Sequence, residues 1–280
     1  MIHPKQTINC KGKLLTLDQP RVMGILNVTP DSFFDGGQYD QIDGALYQAE
    51  KMIKEGADIL DIGGMSSRPG AAIISVEEEL KRVIPVIEAI NKAFPERIIS
   101  LDTVRAKVAT EGIQAGAHLI NDISAGAIDA DMYTTVAALK VPYILMHMQG
   151  TPKTMQQNPD YEDVVQEVLD FFIQEVGKLR ELEVTDIVVD PGFGFGKKLE
   201  HNYQLLKYMH TFLILDLPIL TGLSRKSMIN KVLGTAPKNA LNGTTALHMV
   251  ALQQGSKLLR VHDVKEAVQV IKLFLQLEEQ

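Results

Sequence analysis

The chain has 280 residues, 45% hydrophobic and 22% charged, the make-up of an ordinary globular protein. Its 28 Lys and Arg against 35 Asp and Glu give a net charge of −7, which argues against a nucleic-acid partner, since non-specific binding needs a basic face. Cys10 is the only cysteine, so an intrachain disulfide and a Cys-based zinc site are both excluded, and a reducing, cytoplasmic setting fits.

In chain order, residues 1–21 show no apolar signal-peptide core. They read as an N-terminal extension with a small hairpin around Gly12, closing the bottom of the domain at 22–280. Short apolar runs follow at 22–27, 58–62, 98–102, 117–121, 142–146, 186–190, 218–222 and 257–261. They are apolar on both faces, as strands of a buried parallel sheet must be. Helical patterns lie between them, for example at 41–55, 75–94, 105–115, 161–182, 239–254 and 263–276. Ser75 followed by Glu77–Glu79 is a helix N-terminus signal, with those acids read as charge matched to the helix dipole. The greasiest stretch, 211–220, is well short of the ~20 residues that span a bilayer, so no membrane partner is expected.

Eight units of about 35 residues are the arithmetic of an α/β protein of the (β/α)8 TIM-barrel class. A doubly wound open sheet also alternates strand and helix, but it uses fewer strands at this length.

The informative pattern is where the runs stop. They end at or carry Asn27, Asp61, Asp102, Asn121-Asp122, His147 and Asp190, the seventh leads into Ser224-Arg225-Lys226-Ser227, and the eighth carries Arg260 and ends at His262-Asp263. In a barrel these positions converge on the C-terminal mouth. One Asp at a strand end reads as a helix cap. Acids and amides at five such ends, with bases at two more, read as a site, because carboxylates aimed at one low-dielectric mouth need partners. The acids come from runs two, three, four and six, and the bases Lys226, Arg260 and His262 from seven and eight. That segregation suits a small-molecule ligand with a donor-rich ring, such as a pterin or guanine, and an anionic end. The glycines of GFGFG at 192–196 let the backbone approach this ligand, with Phe195 walling the pocket. Met146, Met148 and Met155 read as packing below it. His147, His201, His210 and His248 lack zinc-ligand spacing and read as core or surface residues.

These residues stand in motifs that resemble the dihydropteroate synthase family over essentially the whole chain. They are GILNVTPDSFFDGG at 24–37, DIGGMSSRPG at 61–70, SLDT at 100–103, INDIS at 120–124, LMHMQGTPKTMQ at 145–156, DPGFGFGK at 190–197, GLSRKS at 222–227 and LRVHDV at 259–264. The resemblance implies a barrel, commonly a homodimer, that joins 6-hydroxymethyl-7,8-dihydropterin diphosphate to 4-aminobenzoate with the help of magnesium. It implies that Asp102, Asn121, Asp190 and Lys226 bind the pterin, and that Arg260 and His262 hold the diphosphate, Arg260 also lying against the ring. Asn27 then faces the magnesium–diphosphate unit, with Asp35 beside it. Ser67 and Arg68 lie in the second loop, and Phe33, Pro69, Lys226 and Ser227 form the 4-aminobenzoate pocket. Two positions depart from the family pattern: Ser67 stands where Thr is usual, keeping the hydroxyl, and Met65 where Glu is frequent.

An aromatic amine is already a nucleophile at neutral pH, so the implied reaction needs no Ser or Cys nucleophile, and no such constellation is visible. Charge developing on the diphosphate and on the pterin methylene is the difficulty. The resemblance implies a largely dissociative, SN1-like step, with Asp102, Lys226 and Arg260 as the catalytic groups. The long loops at 28–37 and 63–72 then read as lids that keep water from a reactive cation.

Overall fold

Alternation along eight short strands decides the architecture. The computed structural model describes residues 7–29, 38–65, 74–151, 154–155 and 159–279, so Phe33, Asp35, Ser67, Arg68 and Pro69 lie outside the described residues. The chain opens with β1 (Thr7–Cys10) and β2 (Lys13–Thr16), an antiparallel pair that turns at Lys11-Gly12. Then β3 (Arg21–Asn27), β4 (Ile59–Gly63), β5 (Ile98–Asp102), β6 (Leu119–Asp122), β7 (Tyr143–Met146), β8 (Ile187–Asp190), β9 (Ile219–Thr221) and β10 (Ser256–Val261) close a parallel barrel, β10 pairing with β3. That closure excludes the open doubly wound sheet.

The helices are α1 (Gln38–Glu55), α2 (Val76–Ala93), α3 (Ala106–Ala115), α4 (Met132–Leu139), α5 (Val164–Glu181), α6 (Leu199–Lys207), α7 (Ser227–Leu233), α8 (Leu241–Gln253) and α9 (Val264–Glu278). The Ser75 start read from the sequence caps α2, accepting from the Glu78 N–H, and the structure adds Asp163, which accepts from the Val165 and Gln166 N–H at α5. Among the described residues no helix is long and apolar enough to cross a membrane.

Successive side chains on a strand point to opposite faces. One set, including Leu60, Ile62, Ile99, Leu101, Ile120, Leu145, Val189 and Leu259, packs outward in the core shared with the helices. Burying each such side chain contributes roughly 1.5–3 kcal/mol. The other set points inward. Met23, Ile59, Ile98, Leu119, Ile144, Val188, Leu220 and Leu258, one from each strand, make a buried cluster with Ile8, Cys10, Leu15 and Leu17.

Two residues further along each run, on the same inward face, stand Ile25, Asp61, Ser100, Asn121, Met146, Asp190, Gly222 and Arg260. An apolar floor is therefore followed, one pleat higher, by a layer that is polar or small on six of the eight strands. Register sets neighbours level: Asp61 pairs with Ser100, Asp102, one pleat above Ser100, with Asn121, and Met146 with Asp190.

Candidate active site

Arg260 is the crossbar of the mouth. Its Nε donates to Asp61 Oδ2 at 2.6 Å and its Nη2 to Asp102 Oδ2 at 2.6 Å. Asn121 Nδ2 donates to the same Asp61 oxygen at 3.2 Å. A carboxylate only accepts, so the Asn121 nitrogen faces Asp61 and its amide oxygen is the acceptor it can offer a ligand. Asp61 Oδ1 is buried with no hydrogen-bond partner among the described residues. Burial pushes Asp102 up to about 7; the Arg260 charge pulls the other way, and the Asp61 charge adds to the rise. Arg260 keeps its proton: burial works against it, but Asp61 and Asp102 hold its pKa above the ordinary arginine range. The expected division into an acidic sector and a separate basic one is corrected here. Barrel closure brings β10 back beside β3, and the guanidinium reaches directly into the carboxylates of β4 and β5.

The second half of the mouth is built on the loop between β8 and α6. Asp190, at the end of β8, accepts from the Gly192 N–H at 2.8 Å. Burial raises its pKa, opposed chiefly by the Lys226 charge. Lys226 in turn is pulled by burial to about 8, with Asp190 holding it up. Its ammonium donates to the Phe193 carbonyl and sits 4.4 Å from the Phe195 ring centroid. Phe195 packs with Met65, Met146 and Met148 around Val104 and Ile123, an apolar wall beside the carboxylates. Met155, expected in that group, is buried but lies outside this cluster.

Asn27, Ser227 and His262 stand exposed at the rim. Ser224 Oγ lies 3.0 Å from His262 Nδ1 and accepts from the His262 backbone N–H at 3.2 Å. Ser224 Oγ thus holds both the backbone and the ring of His262 at the rim. The helix after Ser224 begins at Ser227, with Lys226 as its N-cap residue.

Two residues carry more than the sequence suggested. Glu79, read as dipole-matching charge along with Glu77 and Glu78, is buried: it accepts from Thr103 Oγ1 at 2.7 Å and from Arg105 Nη1 at 2.6 Å. Arg105 also donates to the Ile74 carbonyl. The network ties α2 to the residues just after Asp102, and helical phase was the available signal, since Glu79 lies on the face of Val83, Val86 and Ile90. Lys197, the last residue of its glycine motif, is also buried. His147, His201 and His248 are core residues and His210 a surface one bonded to Gln254. Among the described residues no group of three or more His, Cys, Asp or Glu is placed to hold a metal.

The family model described as pterin binding enzyme matches residues 23–262. The chain is 48% identical over 269 residues to the dihydropteroate synthase of Escherichia coli strain K12, covering 94% of this chain and 93% of that one. Among solved structures it is similar to the Xanthomonas albilineans dihydropteroate synthase with 4-aminobenzoic acid, at TM-score 0.92 and 41% identity, covering 98% and 99% of the two chains. The same enzyme in complex with 7,8-dihydropteroate gives TM-score 0.88 and 39% identity, covering 98% and 99%.

Proposed function

The chain belongs to the dihydropteroate synthase family of pterin-binding transferases, and we propose that it joins 6-hydroxymethyl-7,8-dihydropterin diphosphate to 4-aminobenzoate. The products are 7,8-dihydropteroate and diphosphate. The observation that carries this reading is the crossbar: one guanidinium held at 2.6 Å from two carboxylates, at a barrel mouth that also holds Asp190 and Lys226. Two structures of one relative support it by what they hold, 4-aminobenzoic acid in one and 7,8-dihydropteroate in the other.

The mouth can do this chemistry with binding and electrostatics alone. Asp102 and Asp190 accept the ring N–H groups, and the amide oxygen of Asn121 accepts another. Lys226 donates to ring acceptors while Phe195, Met146 and Met148 cover the ring face. Arg260 and His262 donate to the diphosphate; Ser67 and Arg68, outside the described residues, belong to the same end. The C–O bond breaks with its electron pair leaving on diphosphate, in an SN1-like step. The methylene cation is captured by the aryl amine, which then releases one proton. Carboxylates at Asp102 and Asp190 favour that cation through space. Phe33, Pro69, Lys226 and Ser227 form the place for 4-aminobenzoate. Cys10, in the apolar floor cluster at the opposite end of the barrel, takes no part.

Asn27 is exposed at the end of β3, and its amide oxygen is a hard donor that fits a magnesium ion keeping most of its water, with Asp35 as the further ligand. When bound, magnesium supplies charge neutralisation at the leaving diphosphate. We also read residues 1–21 as an extension closing the bottom of the barrel at 22–280, and the protein as a cytoplasmic homodimer. Exposed Val232 and Leu233 of α7 are apolar surface consistent with a subunit face.

A diphosphate-release assay with magnesium tests the function directly. Release that requires both the pterin diphosphate and 4-aminobenzoate is the expected result. Binding of the pterin without release would refute the reading.

A further inference from the structure

Lys197 is 3% exposed and, among the described residues, has no carboxylate within salt-bridge distance. Its Nζ donates to carbonyls instead, Phe195 O at 3.0 Å, Gly192 O at 3.1 Å and His147 O at 3.3 Å, with His147 Nδ1 2.9 Å away. A buried lysine without a counter-ion is costly to maintain. Burial pulls its pKa well below the usual lysine range, opposed by the charge of Asp190. Such a residue calls for an account that the reaction chemistry does not supply.

Its partners supply one. Gly192 and Phe195 belong to the loop that builds half of the mouth, and His147 directly follows the neighbouring strand β7. Within that loop the Gly192 N–H holds Asp190, the Phe193 carbonyl holds Lys226, and the Phe195 ring lies under the same ammonium. The loop is pressed onto the β7 end: a Cβ on Gly192 would lie 2.0 Å from His147 O, and one on Gly196 2.4 Å from Gln149 O. Both glycines also have positive φ. From outside, Asn202 Oδ1 accepts from the Gly194 N–H at 2.6 Å and Tyr161 donates to Gly196 O at 2.8 Å. Among the described residues, Lys197 is the side chain that donates to both carbonyls, 192 and 195.

We propose that Lys197 is a positioning residue: its Nζ latches the β8–α6 loop to the end of β7 and so sets Asp190, Phe195 and Lys226 for the pterin. It touches no reacting atom and acts through the loop. The inference rests on the pterin reading of the mouth for its kinetic consequence, but the latch itself is a property of the fold.

The test compares wild type, Lys197→Met, which keeps length and loses the donors, and Lys197→Gln, which keeps two donors. Hydrogen exchange reads the latch without substrate: Gly192 and Gly194 amides lose protection in the Met variant while the barrel strands do not. Steady-state kinetics read its consequence: the KM for pterin diphosphate rises tenfold or more, the KM for 4-aminobenzoate stays within twofold, and the Gln variant falls between. If the Met variant does not fold, the Gln variant carries the same measurements. Unchanged exchange in the loop overturns the proposal. So does a lower kcat with both KM values unchanged, the signature of a partly unfolded population. A wild-type protein that releases no diphosphate would sink the functional reading instead, leaving the exchange result to decide the latch.

Discussion

Replacing Arg260 by methionine keeps an unbranched apolar stem and removes the guanidinium, and with it both 2.6 Å contacts, at once. Asp61 then remains with a side chain wholly shielded from solvent, and Asp102 with one only 13% exposed. Taking one partner from a buried ion pair costs about 3–5 kcal/mol, because the remaining charge stays desolvated. Arg260 is itself 18% exposed, so water can reach the gap and the lower end applies, about 3 kcal/mol. For a domain of this size that is a drop of roughly 6–12 °C in melting temperature.

The loss also depends on pH, with a definite sign. Burial puts the folded-state pKa of Asp102 at about 7, above the ordinary value of 3.8. Between those values the native protein holds a proton that the unfolded chain has released, so this group's contribution to stability falls as pH rises through the window and levels off above it. Arg260 is the charge that restrains the rise. Without it the folded pKa moves higher, and the decline continues past neutrality. Melting curves followed by circular dichroism from pH 5 to 8.5 should therefore show the Arg260→Met deficit widening with pH, and Asp102→Asn should recover part of it at pH 8.5. A deficit that is flat across this range, or smaller than about 1 kcal/mol, would mean that the crossbar is solvated and that the reasoning from burial fails.

Three further outcomes follow from the geometry. Lys226 has its pKa lowered by burial to about 8, so kcat/KM for the pterin substrate should fall as pH passes 8; Lys226→Arg should move that limb upward, and a flat profile to pH 9.5 would contradict the assignment. Ser224→Ala removes the partner of His262 Nδ1, a contact worth about 1 kcal/mol, and should raise the KM for pterin diphosphate roughly fivefold with little change in the 4-aminobenzoate KM. Glu79→Ala strands the Arg105 guanidinium and the Thr103 hydroxyl; calorimetric unfolding should report a loss of about 2–4 kcal/mol, where a surface acid would cost less than about 0.5.

The barrel was legible because most strands repeat one message. On six of the eight, an apolar inward residue is followed two positions later by a polar or small one, as in Ile59 and Asp61, Leu119 and Asn121, Val188 and Asp190, or Leu258 and Arg260. Both the fold and the level of the site can be read from that step. What could not be read is contact across closure. Asp61 and Arg260 are 199 positions apart, and only the joining of β10 to β3 makes them partners. Lys197 escaped notice for a different reason: at the end of a glycine motif a lysine looks like solvent-facing punctuation, and its inward turn depends on the positive-φ glycines before it. Glu79 was hidden among three consecutive glutamates, although its phase on α2 singles it out.

These residues share one physical problem. A mouth suited to a donor-rich ring must carry acceptors, and acceptors gathered in low dielectric repel one another. The chain answers by giving each acid a fixed cationic or N–H partner supplied by a different element: Arg260 from β10 for Asp61 and Asp102, Lys226 and the Gly192 N–H for Asp190, Arg105 for Glu79 behind them. Each partner is also a group that a ligand could engage or displace. Protein donors that already hold the carboxylates in place need little reorganisation when ring N–H groups take over part of that role, and preorganised charge is what electrostatic catalysis requires. The apolar floor one pleat below bears the complementary task, since its eight inward side chains owe nothing to the ligand. Substitutions in that floor should therefore change stability without altering substrate preference, whereas those in the ring above should change both.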